Sequence, residues 1–419
     1  MTTITRNEAQ QSQSGRTLAA IVTFLLIFIV LMVIALLNAP TMGGPKVMAS
    51  ATTYFQEVQK TALPFIGAVA VLALIIGLVY ARAVYRVWPN RRHRQNMIVG
   101  YLFLAPYLLI TLMFTVGVIL FAFYISFTKY DIFSPPQWTG LSNYAKAFRG
   151  FYDPAQKDFV QSLYNVFWYS LIVVIFQTSL AIGMAVLLNA PMRAKQFFRT
   201  IFYAPSVTSS VVITLIFMWL YLKTGYINFF LTKLFGAVGM EWQNINWLGD
   251  PRGLIQLIVE PFGVKIPSTQ WYLRGPSIAW MAIMFQNIFT TVPTFMLMFL
   301  AALQDIPASL YEAASIDGAN GWQQFRKITL PLLRPIILLV VVLGTIGTFQ
   351  VFDQVYMATK GGPLGTSLTP VFIIFREALG SMGPIQMGYA AALAFILALL
   401  IFFFTYLQRR YIESETQLY

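Results

Sequence analysis

The chain has 419 residues, of which 58% are hydrophobic and only 10% charged, with a formal net charge of +13. Soluble domains carry roughly 45–50% apolar and about 25% charged residues, so this composition excludes a disordered chain and an ordinary soluble enzyme. There is no cysteine and a single histidine, His93, which excludes disulfides, thiolate metal sites and a histidine metal cluster.

In chain order, charge-free stretches of about 20 or more residues predict about eight membrane-spanning helices. Their approximate cores are 18–37, 62–80, 101–126, 164–189, 201–222, 277–301, 336–357 and 388–408. The first stretch could be a secretory signal, but its apolar core exceeds the roughly 7–15 residues of a signal peptide, so a retained helix is expected. The expected fold class is an all-α polytopic membrane protein. Short basic loops orient it. The 82–94 loop holds Arg82, Arg86, Arg91, Arg92 and Arg94, the 193–199 loop holds Arg193, Lys195 and Arg199, and neither has an acid. Lys and Arg mark the cytoplasmic side, so both loops and both termini are expected inside. The positive charge then reads as membrane topology. The lipid bilayer is an expected partner and nucleic acid is not.

Connections near 38–61, 127–163, 223–276 and 358–387 fall outside, and their Gly, Pro, Asp and Asn content predicts turns. Within the third, Leu254–Val259 is too short to span and reads as an interfacial turn or packed loop. The inside connection 302–335 is too long for a link. Pro307 can open a helix. Leu310, Ala313, Ala314 and Asp317 follow at helical spacing, and Gly318 can close the helix in a left-handed conformation. A second short helix is expected over 320–328, before Pro331 and Pro335. The pair carries Glu312 and Asp317 beside apolar residues and has no basic face for lipid headgroups. That combination suits docking into a protein cleft; the alternative is a pair lying at the interface.

Polar residues inside a span are costly unless they face a cavity or a partner. The helix before this connection carries Gln286, Asn287, Thr290, Thr291 and Thr294, with Asn287, Thr291 and Thr294 on one helical face. The helix after it carries Gly344, Thr348 and Phe352 at four-residue intervals, an expected second face. These positions lie near the bilayer midplane, where transporters bind substrate. Helix–helix packing is the competing explanation, and Trp280, Phe349 and Tyr356 read first as packing or interface residues. Asp353 is expected at an interface or a helix cap. As the one carboxylate within a span, it is thin support for the main rival class, an ion-coupled transporter or channel.

The segment Glu312-Ala-Ala-Ser-Ile-Asp-Gly-Ala-Asn-Gly-Trp-Gln-Gln-Phe-Arg-Lys-Ile-Thr-Leu-Pro331, closed by Pro335, resembles the EAA loop of ABC importer permeases of the carbohydrate-uptake branch. Tyr101–Pro106, Ser126–Tyr130, Gly140–Tyr144, Trp247–Pro251, Phe349–Asp353, Thr359–Pro363 and Gly388–Ala392 resemble further segments of the same permeases, so the resemblance covers roughly 98–411. Two extra N-terminal spans make the chain similar to the larger, MalF-like subunit of maltose-type transporters. The large external domain some of those subunits insert after their third span is absent, and the segment 252–275 stands where the family passes almost directly into the next helix.

The resemblance implies a type I ABC importer permease fold: two accessory helices in 1–97, a six-helix core in 98–411 and a tail in 412–419. It implies a second, non-identical permease subunit, a cytoplasmic ATPase dimer and an extracytoplasmic sugar-binding protein. It also implies a multi-pass place in a bacterial or archaeal inner membrane. ATPase coupling would fall to Glu312, Ala313, Ala314, Asp317, Gly318 and Ala319. The substrate path would involve Asn287, Thr290, Thr291, Thr294, Gly344, Thr348 and Phe352. No Gly is followed by Lys, so the chain has no P-loop; it is expected to be a non-catalytic subunit without a cofactor, the ATP being bound by its partner. The implied cargo is a maltose- or maltodextrin-type oligosaccharide, with trehalose, another disaccharide or a glucosyl-polyol as alternatives.

Overall fold

The computed structural model describes residues 110–416 apart from 191–193, 268–269 and 382, together with Phe103, Leu104 and Tyr107. The expected spans at 18–37 and 62–80 and the 82–94 loop lie outside the described residues. The described part is helical, with one two-stranded hairpin. A π-helical turn over Thr111–Val116 leads into α1 (Gly117–Ser126). The hairpin pairs β1 (Thr128–Lys129) with β2 (Gln137–Trp138), followed by α2 (Ser142–Phe148).

Four described helices are long and apolar enough to cross a membrane. The first is α3 (Asp158–Asn189). The second is α8 (Ile278–Gln304). The third joins α11 (Arg334–Phe349) and α12 (Asp353–Ala358), and the fourth is α14 (Met387–Thr416), which runs on into the expected tail.

Two expected spans are broken. The 201–222 stretch is not one straight helix: α4 (Lys195–Val207) and α5 (Ser210–Leu220) meet at 96°. Pro205 has no N–H for the last turn of α4, and Thr208 and Ser209 are extended, so the ladder stops within the charge-free stretch. The 336–357 helix stops at Phe349. Phe352 lies past that end at φ −139°, ψ −57°, and Asp353 opens α12, where an acid is favoured. Phe352 therefore does not continue the helical face of Gly344 and Thr348; it stacks on Tyr356 at 5.4 Å instead.

The connections expected outside contain helices where turns were expected: α6 (Tyr226–Ala237), α7 (Leu254–Val259) and α13 (Pro370–Leu379). The fully buried Asn228 holds the first of these loops. Its amide donates to the carbonyls of Leu222, Lys223 and Ile245, and its oxygen accepts from Ile245 N–H and Trp242 Nε1–H. Over α13, the Arg376 guanidinium reaches Asp158 at 2.9 Å and Glu377 at 3.1 Å, tying the loop to the start of α3.

The centre of the bundle is α3, which packs along α8, α11 and α13, while α14 lies on α1, α11 and α13. Toward the α7 and α13 end the core packs Tyr169 against Trp280, the rings tilted with centroids 4.6 Å apart, beside Ile283, Val351, Val355 and Phe372. The Trp280 indole donates to Asn165 O at 2.9 Å. Toward the 302–335 end, Ala181 and Ala185 let α3 approach Val292, Met296 and Phe299 of α8. Small residues suit this role in lipid, where fit and hydrogen bonding hold helices together because no water is expelled between them.

Candidate functional site

The 302–335 connection folds as two helices, α9 (Ala308–Ile316) and α10 (Gly321–Gln324), the latter continuing through a π turn over Phe325–Thr329. Its shape is fixed by backbone chemistry. Gly318 sits at φ +76°. Ala319 N–H bonds Ala314 O at 2.9 Å and Gly318 N–H bonds Ser315 O at 3.1 Å, a Schellman ending that satisfies the last carbonyls of α9. Asn320 and Gln323 then form a reciprocal capping box at 2.8 and 2.9 Å. Gln324 Nε2 donates to Ser315 Oγ at 2.9 Å, and Tyr311 and Thr329 hydroxyls pair at 2.9 Å, locking one helix to the other. Ile306 and Phe325 pack under Leu300, Leu303 and Leu333, so the pair is seated directly on the ends of α8 and α11.

What this rigid pair leaves uncovered is mixed in character. Ile316 is 87% exposed and Trp322 68%. Glu312, Ala313, Asp317 and Gly318 are exposed beside them, while Ala314 and Ala319 are half-buried. Glu312 makes no ion pair among the described residues. An apolar ridge with a free carboxylate matches a protein cleft carrying a basic group. Replacing Gly318 by alanine forces a side chain into a left-handed turn and is expected to cost about 1 kcal/mol, read as a lower melting temperature of the purified protein.

The polar residues of the spans divide into two sets. One set ties helices together. Gln286 Nε2 donates to Thr214 Oγ1 of α5 at 2.6 Å. The Thr291 hydroxyl lies 2.8 Å from Gln177 Oε1 of α3, and Thr348 Oγ1 lies 3.0 Å from Ser170 Oγ. Gly344 faces α3 too: a Cβ there would stand 2.2 Å from Gln177 Nε2. Gly344, Thr348 and Thr291 thus meet at one junction of α3, α8 and α11.

The second set is less enclosed. Thr294 is exposed and Thr290 half-buried, the Thr290 hydroxyl folding back on Asn287 O at 2.9 Å. Asn287 is 9% exposed, yet its carboxamide has no hydrogen bond among the described residues. On α11 the open side is Leu343, Gly347 and Gln350, and a Cβ at Gly347 would meet nothing within 4 Å.

Gln177, Ser170 and Thr214 are additions to the residues expected from sequence. Gln177 is buried, and its Nε2 has no partner among the described residues. Ser170 and Gln177 are polar groups seven residues apart in a largely apolar span, the pattern of one helical face. Their partners on other helices were not readable.

Residues 177–414 match the family model described as binding-protein-dependent transport system inner membrane component. The chain is 33% identical over 314 residues to a probable ABC transporter permease, YesP of Bacillus subtilis, covering 74% of this chain and 89% of the relative. It is 28% identical over 311 residues to the trehalose/maltose transport system permease MalF of Thermococcus litoralis, covering 74% and 92%. A chain of a bacterial alginate ABC transporter, solved in complex with an alginate pentasaccharide-bound periplasmic protein, shares the fold at a TM-score of 0.59 and 19% identity, over 78% of this chain and 97% of that one.

Proposed function

The chain belongs to the binding-protein-dependent transport system inner membrane component family, and from that premise we propose that it is the sugar-conducting permease subunit of an ATP-driven importer. It sits in the cytoplasmic membrane of its cell with both termini inside. It pairs with a second permease subunit, rests on a cytoplasmic ATPase dimer and receives its cargo from an extracytoplasmic binding protein. The cargo class is a maltose- or maltodextrin-type oligosaccharide, in line with the MalF-like resemblance and with a relative named for trehalose and maltose. It is not itself the ATPase.

The observation that carries this reading is the capped helix pair α9–α10, with Glu312, Asp317 and Ile316 presented to solvent while its inner face is packed on α8 and α11. In this reading α9 is the coupling helix. Glu312 meets a basic residue of the ATPase, Ala313, Ala314 and Ala319 keep the contact surface low, and Asp317 with Gly318 fixes the turn. Closure of the ATPases moves the pair, and because α8 and α11 are continuous with it, they move too. The two broken spans supply the bending points. α12, beyond the break after Phe349, packs on α5, beyond the break at Thr208–Ser209. Discontinuous helices form the substrate sites of many transporters, around which the helix repeats rock.

The substrate path in this account uses Asn287, Thr290 and Thr294 together with the open face of α11. Asn287 holds an unspent carboxamide for a sugar hydroxyl. Thr291, Gly344 and Thr348 shape the path from behind by holding the three-helix junction, and Phe352 lies at the break that opens it. Asn287→Ala is expected to reduce uptake of a radiolabelled maltodextrin roughly tenfold, the loss of about one well-placed hydrogen bond, with normal recovery of the assembled transporter. Unchanged uptake and affinity would remove Asn287 from the path.

A further inference from the structure

One buried side chain touches all three helices of the α3, α8 and α11 junction. Gln177, near the middle of α3, is 1% exposed. Its carboxamide lies between Thr291 of α8 and the bare backbone of α11. Oε1 is 2.8 Å from the Thr291 hydroxyl. Nε2 faces Gly344, where a Cβ would stand 2.2 Å away, and has no hydrogen-bond partner among the described residues. The Thr291 hydroxyl also lies 2.9 Å from Asn287 O. It has one proton for these two acceptors, so what Gln177 takes, the turn that carries Asn287 loses.

A carboxamide fits two ways round, with a donor at one end and an acceptor at the other. With Oε1 on Thr291, Gln177 competes for the Thr291 proton and points an N–H at α11. Turned over, Nε2 donates to Thr291 Oγ1, the Thr291 proton goes wholly to Asn287 O, and Oε1 rests on the Gly344 Cα–H, a weak but favourable contact. Which way round is favoured depends on what α11 sets against Gln177, since a buried N–H without an acceptor is costly. At this level α11 is free of bulk and lightly tied. Gly344 has no side chain, and the cross-helix bonds beside it are single neutral ones, Thr348 to Ser170 of α3 at 3.0 Å and Gln408 of α14 to Thr345 at 2.7 Å. Such bonds exchange at little net cost when a helix shifts.

We propose that Gln177 is a positioning residue for transport: its carboxamide turns over as α11 moves, and so sets the Asn287 turn of α8 according to the position of α11. This rests on the reading of the chain as an ATP-driven permease, in which α9 and α10 move α11. Gln177 touches no sugar in this account. It acts through Thr291, and it makes the grip on the cargo change in step with the ATPase.

The test uses the complete transporter in proteoliposomes, with its binding protein and a labelled maltodextrin, and reads sugar moved per ATP hydrolysed. Gln177→Met keeps the length of the side chain and removes both ends of the amide. The ratio should fall roughly fivefold, the effect of about one hydrogen bond. Damage to folding alone would lower uptake and hydrolysis together and leave the ratio as it was. Thr291→Val removes the same link from the α8 side and should lower the ratio to the same extent, while Thr291→Ser, which keeps the hydroxyl, should hold the wild-type ratio. Gln177→Met/Thr291→Val should lower it no further than either change alone, the mark of two residues acting as one unit. If Gln177→Met fails to assemble, the Thr291→Val and Thr291→Ser pair decides. An unchanged ratio in Gln177→Met or Thr291→Val, losses that add in the double variant, or a Thr291→Ser ratio as low as that of Thr291→Val would overturn the role of Gln177 and leave the permease reading intact. Wild-type uptake that needs no ATP would overturn both.

Discussion

Glu312→Lys should abolish ATP-driven uptake while leaving the permease folded in the membrane. The carboxylate is exposed on α9 without an ion pair among the described residues, so nothing in the described bundle depends on it. In the proposed complex with the ATPase it would be enclosed against a basic group, and reversing one member of an enclosed charge pair costs about 2–5 kcal/mol, which is roughly 30-fold or more in affinity. Co-purification of the ATPase should fall with uptake. A reciprocal charge swap on the ATPase should restore both, which a merely structural role for Glu312 would not allow. Full uptake and co-purification in the single variant would separate α9 from coupling.

The second large effect is expected at the junction of α3, α8 and α11. Gly344→Ala places a methyl group 2.2 Å from Gln177 Nε2. The Gln177 amide must swing away, and with it goes the bond between its oxygen and Thr291. Losing that half-buried bond costs about 0.5–1.5 kcal/mol. Thermal stability in detergent should drop for Gly344→Ala. Adding Gln177→Ala removes the obstacle, so the double variant should be more stable than the sum of the two single losses, the mark of residues in contact. Additive losses would mean that the two residues do not touch in the folded protein.

The parts of this architecture set by local chemistry were readable. Pro307 and Gly318 place α9, and the stretch opening at Asn320 places α10, within a few residues of where they lie, because caps and left-handed turns act over four or five positions. Local signals also bound α13: Thr369 caps it, Pro370 opens it and Gly380 ends it at φ +64°. The breaks were harder. Hydropathy records the cost of leaving water, and Thr200–Leu222 is as apolar bent by 96° as it would be straight. Past Phe349 the chain turns polar at Gln350, Asp353 and Gln354, but the spacing of apolar residues alone does not say that the helix stops there. Least readable was which face of a polar helix points where. Thr291 and Thr348 look alike beside Asn287 in sequence, but their partners Gln177 and Ser170 lie more than a hundred positions away.

The central claim is that this chain conducts a sugar only when a separate ATPase drives it through α9. Proteoliposomes containing this chain and its second permease, with and without the ATPase subunits, test it most directly. With the binding protein and a labelled maltodextrin on the external face, uptake should require both the ATPase and ATP, and should vanish with Glu312→Lys. Uptake that persists without the ATPase and follows an imposed proton or sodium gradient would contradict the account and identify an ion-coupled transporter.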